Sequence, residues 1–282
     1  MQTIASVAAL RKALCEVRAQ GRTIALVPTM GNLHAGHLSL VDIATRHADF
    51  VVTSVFVNPT QFGPGEDYAS YPRTLDEDRK LLAEHGCDLM FAPDADEMYP
   101  EGAEVGVQFY FPGLEGILCA VQRPGHFNGV ARVVSKLFHI VNPQLAVFGE
   151  KDYQQLLVVR RLVKQLSFPV RIMAGKIVRD ADGLAMSSRN RYLTKPQRQS
   201  ALYIPRGLQQ LPLWYQDDPE NACTKLIGFL SAQGLRVDYA EVRDATDLQA
   251  VGPNSRQLVG LVAARIGKTR LLDNILFAKN IA

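Results

Sequence analysis

Over the first two thirds of the chain, short apolar runs rich in β-branched residues alternate with segments of helical spacing, and this alternation limits the fold more than any other feature. The runs lie at Thr23–Val27, Phe50–Val57, Asp88–Ala92, Leu145–Phe148 and Val170–Val178. Helical spacing covers about Ala35–His47 and Asp152–Leu166, and places Val130, Val133, Val134, Leu137, Phe138 and Val141 on one stripe. A further helix is expected after Thr74, where Thr74 and Glu77 have the spacing of a capping box and Gly86 supplies a stop. Such alternation predicts βαβ units and a parallel sheet with helices on both faces. Ligands of these sheets bind beyond the carboxyl ends of the strands, which is where chemistry is sought.

After about Val178 the character changes. The polar stretch Arg179–Arg191 leads into a helical region. Asp218-Pro219 then reads as a helix start, Gly234 as a stop, and Val237–Val242 and Leu258–Ala264 as strands. The expected division is a larger domain over 1–178 and a smaller α+β domain over 179–282. The whole chain of 282 residues is the right length for two unequal domains at roughly 100–200 residues each. With 31 basic and 28 acidic residues there is no concentrated basic surplus to suggest nucleic-acid binding. Cys15, Cys87, Cys119 and Cys223 are scattered and form no C-x-x-C pair, which argues against a disulfide framework or zinc knuckle and for a reducing cytoplasm. No secretion signal and no apolar stretch of about 20 residues are visible, so a complete soluble protein without a membrane partner is expected.

Four polar segments follow strands. The first strand runs into Met30-Gly31-Asn32-Leu33-His34-Ala35-Gly36-His37. His34 and His37 share one face of the first helical turn, where free N–H groups and the helix dipole favour an anion, and Gly31 and Gly36 permit close backbone approach. An ordinary βα turn with surface histidines is the alternative, held about evenly for the tetrapeptide alone; a metal site lacks a third ligand nearby. Met186-Ser187-Ser188-Arg189 offers two hydroxyls and a guanidinium as a phosphate clamp, or else a solvated basic loop. After Phe148, Gly149-Glu150-Lys151-Asp152 and Gln155 are suited to phosphate (Lys151), a ribose hydroxyl (Asp152) and an acid substrate (Gln155). Asp152 can equally be a helix cap. Asn58 and Gln61 supply neutral amides for a hydroxyl or carboxylate, in what is otherwise a Pro/Gly turn. Arg123–Phe127 reads as a gate or a plain connector.

Several familiar motifs are absent. Gly267-Lys268-Thr269 resembles the end of a P-loop, but the required first glycine is Val262, and the segment follows a late strand of the small domain. No G-x-G-x-x-G, H-E-x-x-H or G-x-S-x-G occurs.

An H-x-G-H turn after the first of these strands and a Met-Ser-Ser-Arg loop after the last resemble the nucleotidylyl-transferring Rossmann superfamily. Together with Pro28-Thr29-Met30-Gly31, Phe56-Val57-Asn58-Pro59 with Gln61-Phe62, Tyr71-Pro72-Arg73-Thr74, Arg123-Pro124-Gly125-His126-Phe127, Phe148–Asp152 with Gln154-Gln155, and Asp182–Asn190, the chain is similar to the pantoate–β-alanine ligase family. The matches run in family order over about Pro28–Leu193, with Arg243-Asp244-Ala245 beyond.

The resemblance implies a Rossmann-like ATP- and pantoate-binding domain with a smaller C-terminal α+β lid. It implies ATP-dependent condensation of pantoate with β-alanine through a pantoyl adenylate, releasing pyrophosphate and then AMP, on the way to coenzyme A. By position, Met30–His37, Gly149–Asp152, Val178 and Met186–Arg189 line the ATP site. His37 is the family's catalytic residue, with His34, Lys151 and Arg189 sharing phosphate charge. Gln61 and Gln155 bind pantoate, and Gln61 borders the β-alanine site. A cytoplasmic homodimer that uses Mg²⁺ bound through the ATP phosphates, with no metal site of its own, is the further implication. Cys119 stands where the family commonly has Glu, Arg132 where it usually has Thr, and Pro205 interrupts a predicted helix.

Overall fold

The computed structural model describes residues 1–279. The chain forms two units, one of residues 1–115, 123–150 and 155–176, the other of residues 116–122, 151–154 and 177 onward.

The first unit holds β1 (Gln2–Ile4), α1 (Val7–Ala19), β2 (Ile24–Thr29), α2 (Ala35–Thr45), β3 (Phe50–Val55), α3 (Leu75–Glu84), β4 (Leu89–Phe91) and α4 (Ala95–Met98). After α5 (Cys119–Gln122), which belongs to the second unit, come α6 (His126–Val141), β5 (Leu145–Gly149), most of α7 (Tyr153–Gln165) and β6 (Arg171–Gly175). All pairings are parallel, in the order β1-β4-β3-β2-β5-β6. The chain steps outward from β2 through β3 to β4, then returns to β2's other side as β5 and β6. Right-handed crossovers on opposite sides of β2 place helices on opposite faces. Leu38, Val41 and Ala44 of α2 and Leu82 of α3 pack on Ala25, Val27, Val51, Val55 and Val147 of the strands. Because both faces are covered, the central strands are apolar almost throughout.

Strand order reverses between β2 and β5. Only Ala25↔Leu145 and Leu26↔Ala146 pair there, although β2 continues to Thr29 and β5 to Gly149. The two carboxyl ends therefore part, leaving the crevice in which such sheets bind ligands.

The second unit contains α5, α8 (Lys195–Ala201), α9 (Tyr203–Asp217), α10 (Ala222–Ser231) and the antiparallel strands β7 (Arg236–Asp244), β8 (Gln257–Ile266) and β9 (Thr269–Ala278), in the order β7-β8-β9. Leu208, Leu211, Leu226 and Leu230 cover Ala240, Val262, Ala264 and Leu271. Gly267-Lys268 is the tight β8–β9 turn, with Gly267 at φ 57°, so the P-loop look-alike is hairpin chemistry. Pro205 falls in the first turn of α9, where its missing N–H removes no helical bond.

Some local expectations differ from what forms. Thr74 precedes α3, but its side chain makes no cap bond; its hydroxyl donates to Asp78 instead, so no capping box closes. The helix expected from Asp218-Pro219 starts at Ala222, with Asp218 accepting from the Asn221 N–H in the turn before it. Among the described residues no helix is long and apolar enough to cross a membrane.

Candidate active site

In the first unit the site grows from the carboxyl end of β2. His34 is the N-cap of α2, its Nδ1 accepting from the Gly36 N–H at 3.1 Å, which leaves the ring proton on Nε2. His37 stacks on it, with centroids 4.0 Å apart and planes at 28°. Two imidazoles are thus grouped at a helix N-terminus, where an anion is favoured.

What shapes this turn is a residue the sequence reading passed over. Asp78 of α3 is 1% exposed and accepts from the Asn32 N–H at 3.0 Å and the Leu33 N–H at 2.8 Å. Burial pushes its carboxyl above the usual range, opposed by those bonds and by Thr74. Gly31, at φ 79°, lies so close that a Cβ would stand 2.9 Å from the Asp78 carboxylate and from Val55 Cγ1. Asn32 is held at φ 52°. The signal for Asp78 was an acidic residue four before Leu82 on the buried side of an amphipathic helix.

Gln61 ends the 3-10 turn Pro59–Gln61 after β3. Its Nε2 lies 3.2 Å from Met30 Sδ, and its Oε1 accepts from Asn58 Nδ2 at 3.1 Å. Asn58 is itself 1% exposed and engaged with Thr60, Tyr99 and the Gly129 carbonyl, so it stands behind Gln61. The turn presses on α6 at Gly129, where a Cβ would be 2.0 Å from the Thr60 oxygen.

The Arg123–Phe127 loop is a clamp on this turn. Arg123 donates to the Gln61 carbonyl at 3.2 Å and to both Glu66 oxygens, at 2.6 and 2.7 Å. His126 Nδ1 meets the same carbonyl at 2.8 Å, and its Nε2 meets Arg123 at 3.0 Å. Arg132 does not face this site: it donates to the carbonyls of Ala103 and Val105 and lies over the Tyr99 ring. Gly149 ends β5, Glu150 begins the 3-10 turn that follows, and Gln155 is half-buried on α7.

The remaining expected residues are in the second unit. Lys151 and Asp152 end the 3-10 turn Glu150–Asp152, with the Lys151 carbonyl accepting from Asn274 at 3.0 Å. Val178 opens a two-stranded ribbon, in which Met186 N donates to the Val178 carbonyl at 3.0 Å and Arg179 bridges Ala185. Arg198 binds Asp180 and Asp182 across its base at 2.7 and 2.8 Å. The ribbon delivers Met186 and Ser187, whose hydroxyl caps the short 3-10 helix Ser188–Tyr192 by accepting from the Arg189 N–H. Cys119 is buried, its sulfur 3.2 Å from the Tyr239 hydroxyl and 3.6 Å from Arg270.

A crevice at the sheet's switch point, a paired-imidazole anion turn and a neutral amide beside it suit the meeting of a nucleotide and a small acid. The family model described as Pantoate-beta-alanine ligase matches residues 2–276. The chain belongs to this family. Members include the pantothenate synthetases of Chromohalobacter salexigens and Pseudomonas aeruginosa, each 50% identical to this chain with 98% of both chains covered. The crystal structure of pantothenate synthetase from Thermus thermophilus superposes with a TM-score of 0.89 at 46% identity, covering 98% of this chain and 99% of that one. The Francisella tularensis pantoate-beta-alanine ligase, complexed with Beta-gamma ATP and Beta-alanine, superposes at 0.84 with 33% identity, covering 98% and 97%. Like other pantoate-beta-alanine ligases, this protein is an enzyme, a ligase of pantothenate biosynthesis.

Proposed function

We propose that this ligase activates pantoate with ATP. The pantoate carboxylate attacks the α-phosphate, forming pantoyl adenylate and releasing pyrophosphate; the amine of β-alanine then attacks the acyl carbon and AMP leaves, giving pantothenate. The observation that carries this reading is the Gln61 amide 3.2 Å from Met30 Sδ, which sets an acid-recognising group against the turn that bears His34 and His37. Attack on the α-phosphate requires the acid and the nucleotide to be bound side by side.

The substrate carboxylate is its own nucleophile, so the protein's task is alignment and charge neutralisation. Orientation can contribute roughly 7–11 kcal/mol, whereas one hydrogen bond to a charged group contributes about 1.5–3 kcal/mol. In this reading Met30–His37 and Gly149–Asp152 receive the nucleotide with Val178 and Met186–Arg189. His34, His37, Lys151 and Arg189 carry phosphate charge, with His37 acting as a donor rather than a proton shuttle. Gln61 and Gln155 hold pantoate, and Asn58 holds Gln61 rather than substrate. Mg²⁺ carried by the ATP phosphates would supply charge neutralisation on the pyrophosphate, beside Lys151 and Arg189. A cytoplasmic homodimer feeding coenzyme A synthesis completes the proposal and rests on the family resemblance.

The test is pyrophosphate release from the purified protein with Mg-ATP. Release that requires pantoate, with AMP and pantothenate appearing only once β-alanine is added, is the expected result. AMP and pyrophosphate appearing together, and only when all three substrates are present, would overturn the stepwise mechanism.

A further inference from the structure

β9 carries two adjacent buried polar residues, Asp273 and Asn274, each 4% exposed. Buried polar side chains are costly unless bonded, and each of these binds a segment of the second unit already assigned to phosphate. Asp273 accepts both terminal nitrogens of Arg179, at 2.7 and 3.0 Å, in a two-pronged pair. The same guanidinium reaches the Gly183 carbonyl at 3.2 Å, so Asp273 fastens both strands of the ribbon that delivers Ser187, Ser188 and Arg189. Asn274 donates from Nδ2 to the Lys151 carbonyl at 3.0 Å, and its backbone N–H donates to Asp273 at 2.8 Å. Burial pushes the Asp273 carboxyl up, while the charges of Arg179 and Lys151 pull it down, so the Lys151 ammonium lies within the field of this carboxylate.

One dipeptide therefore ties together the ribbon before Ser187 and the backbone of Lys151. Neither bond belongs to the β8–β9 ladder: both run from β9 side chains to segments outside the hairpin. We infer that Asp273 and Asn274 are positioning residues, which hold Lys151 in fixed register with the Ser187–Arg189 loop for the nucleotide phosphates. The inference rests on the phosphate role proposed above for Lys151. Misplacement of a phosphate-binding group by about 1 Å lowers rates by up to roughly a hundredfold, so a lost backbone tether should be visible in ATP use.

Asn274 is the residue to change, because removing Asp273 would also release Arg179 and with it the ribbon, so the two effects could not be told apart. Steady-state kinetics would compare wild type, Asn274→Ala, Asn274→Asp, Lys151→Ala and the Lys151→Ala/Asn274→Ala double variant, with thermal unfolding monitored for each. The expected result for Asn274→Ala is a fall in kcat/KM for ATP of roughly tenfold or more, with the KM for pantoate unchanged. Asn274→Asp, which keeps the size but turns an acceptor to the Lys151 carbonyl, should be no better than Ala. In the Lys151→Ala background the Asn274→Ala loss should largely vanish, because the group being positioned is gone. Equal losses for every substrate with unchanged KM values, or full additivity in the double variant, would mean a merely structural role and overturn the inference. If Lys151→Ala itself leaves ATP use intact, the phosphate role of Lys151 falls first and the positioning role falls with it.

Discussion

The two units bury charge by different means. In the first, the buried carboxylate Asp78 is met by backbone N–H groups of Asn32 and Leu33. In the second, buried carboxylates are met by arginines: Asp273 by Arg179, and Asp238 by Arg270 and Arg265 at 2.7 and 3.3 Å. A backbone donor is lost only to proline, and it leaves no charge behind when its acceptor goes. Arg270, whose side chain is only 12% exposed, would remain a charge largely out of water if its carboxylate went. The second unit is thus the more vulnerable to loss of one carboxylate.

Asp238→Ala tests this most severely. Arg270 has a side chain only 12% exposed, and a buried ion pair broken on one side costs about 3–5 kcal/mol. Thermal or denaturant unfolding should show that loss. A loss below that of Asp78→Ala would reverse the comparison.

Gly129→Ala comes next. The added methyl would meet the Thr60 carbonyl at 2.0 Å and Gln61 N at 2.6 Å, all of it backbone that no rotamer change can move aside. Overpacking of this kind costs about 1–3 kcal/mol, and this contact belongs at the upper end. Because the displaced turn carries Gln61, the KM for pantoate should rise more than that for ATP, as substrate titrations would reveal.

Asp78→Ala should cost about 1–3 kcal/mol, the penalty for buried donors left unbonded, and should weaken ATP use by loosening the Met30–His34 turn. Asp78→Asn keeps one acceptor and removes a charge whose ionisation burial already opposes, so it should cost less than Ala in unfolding measurements. Equal effects of the two would mean that the carboxylate's acceptors matter little to this turn.

These residues also mark the limit of what could be read without a structure. The parallel sheet was legible because βαβ alternation is a period that packing must obey, and the H-x-G-H turn because its residues are adjacent. β1 was not, since three residues carry no period and gain their place only by pairing with β4. β9 was hidden because Asp273 and Asn274 break its apolar pattern, and they are legible only once Arg179 and Lys151, distant in sequence, are seen beside them. The Arg123 clamp is of the same kind: its meaning depends on Glu66 and on the Gln61 carbonyl. Thr74 misled because its hydroxyl found a better acceptor in Asp78 than the helix N–H groups. Local pattern reports elements; partners across the fold report roles.

The smallest effect separates two carboxylates within the first unit. Burial pushes Glu66 up, but the two hydrogen bonds and charge of Arg123 outweigh it and hold Glu66 below its ordinary value of 4.5. Its stabilisation is therefore present above about pH 4.5 and is lost as the pH falls through the lowered folded value, because the unfolded chain binds the proton more readily there. Asp78 has the opposite sign. Its raised value favours the protonated folded state, so its contribution is fully present below its ordinary 3.8 and fades as the pH rises through the folded value. Unfolding free energies measured against pH should show wild type leading Glu66→Gln by about 1 kcal/mol or less near neutrality, with the lead shrinking on acidification. Over the same range the lead over Asp78→Asn should grow. Parallel slopes for the two variants would mean that burial does not dominate at Asp78, and that its backbone bonds alone set its charge.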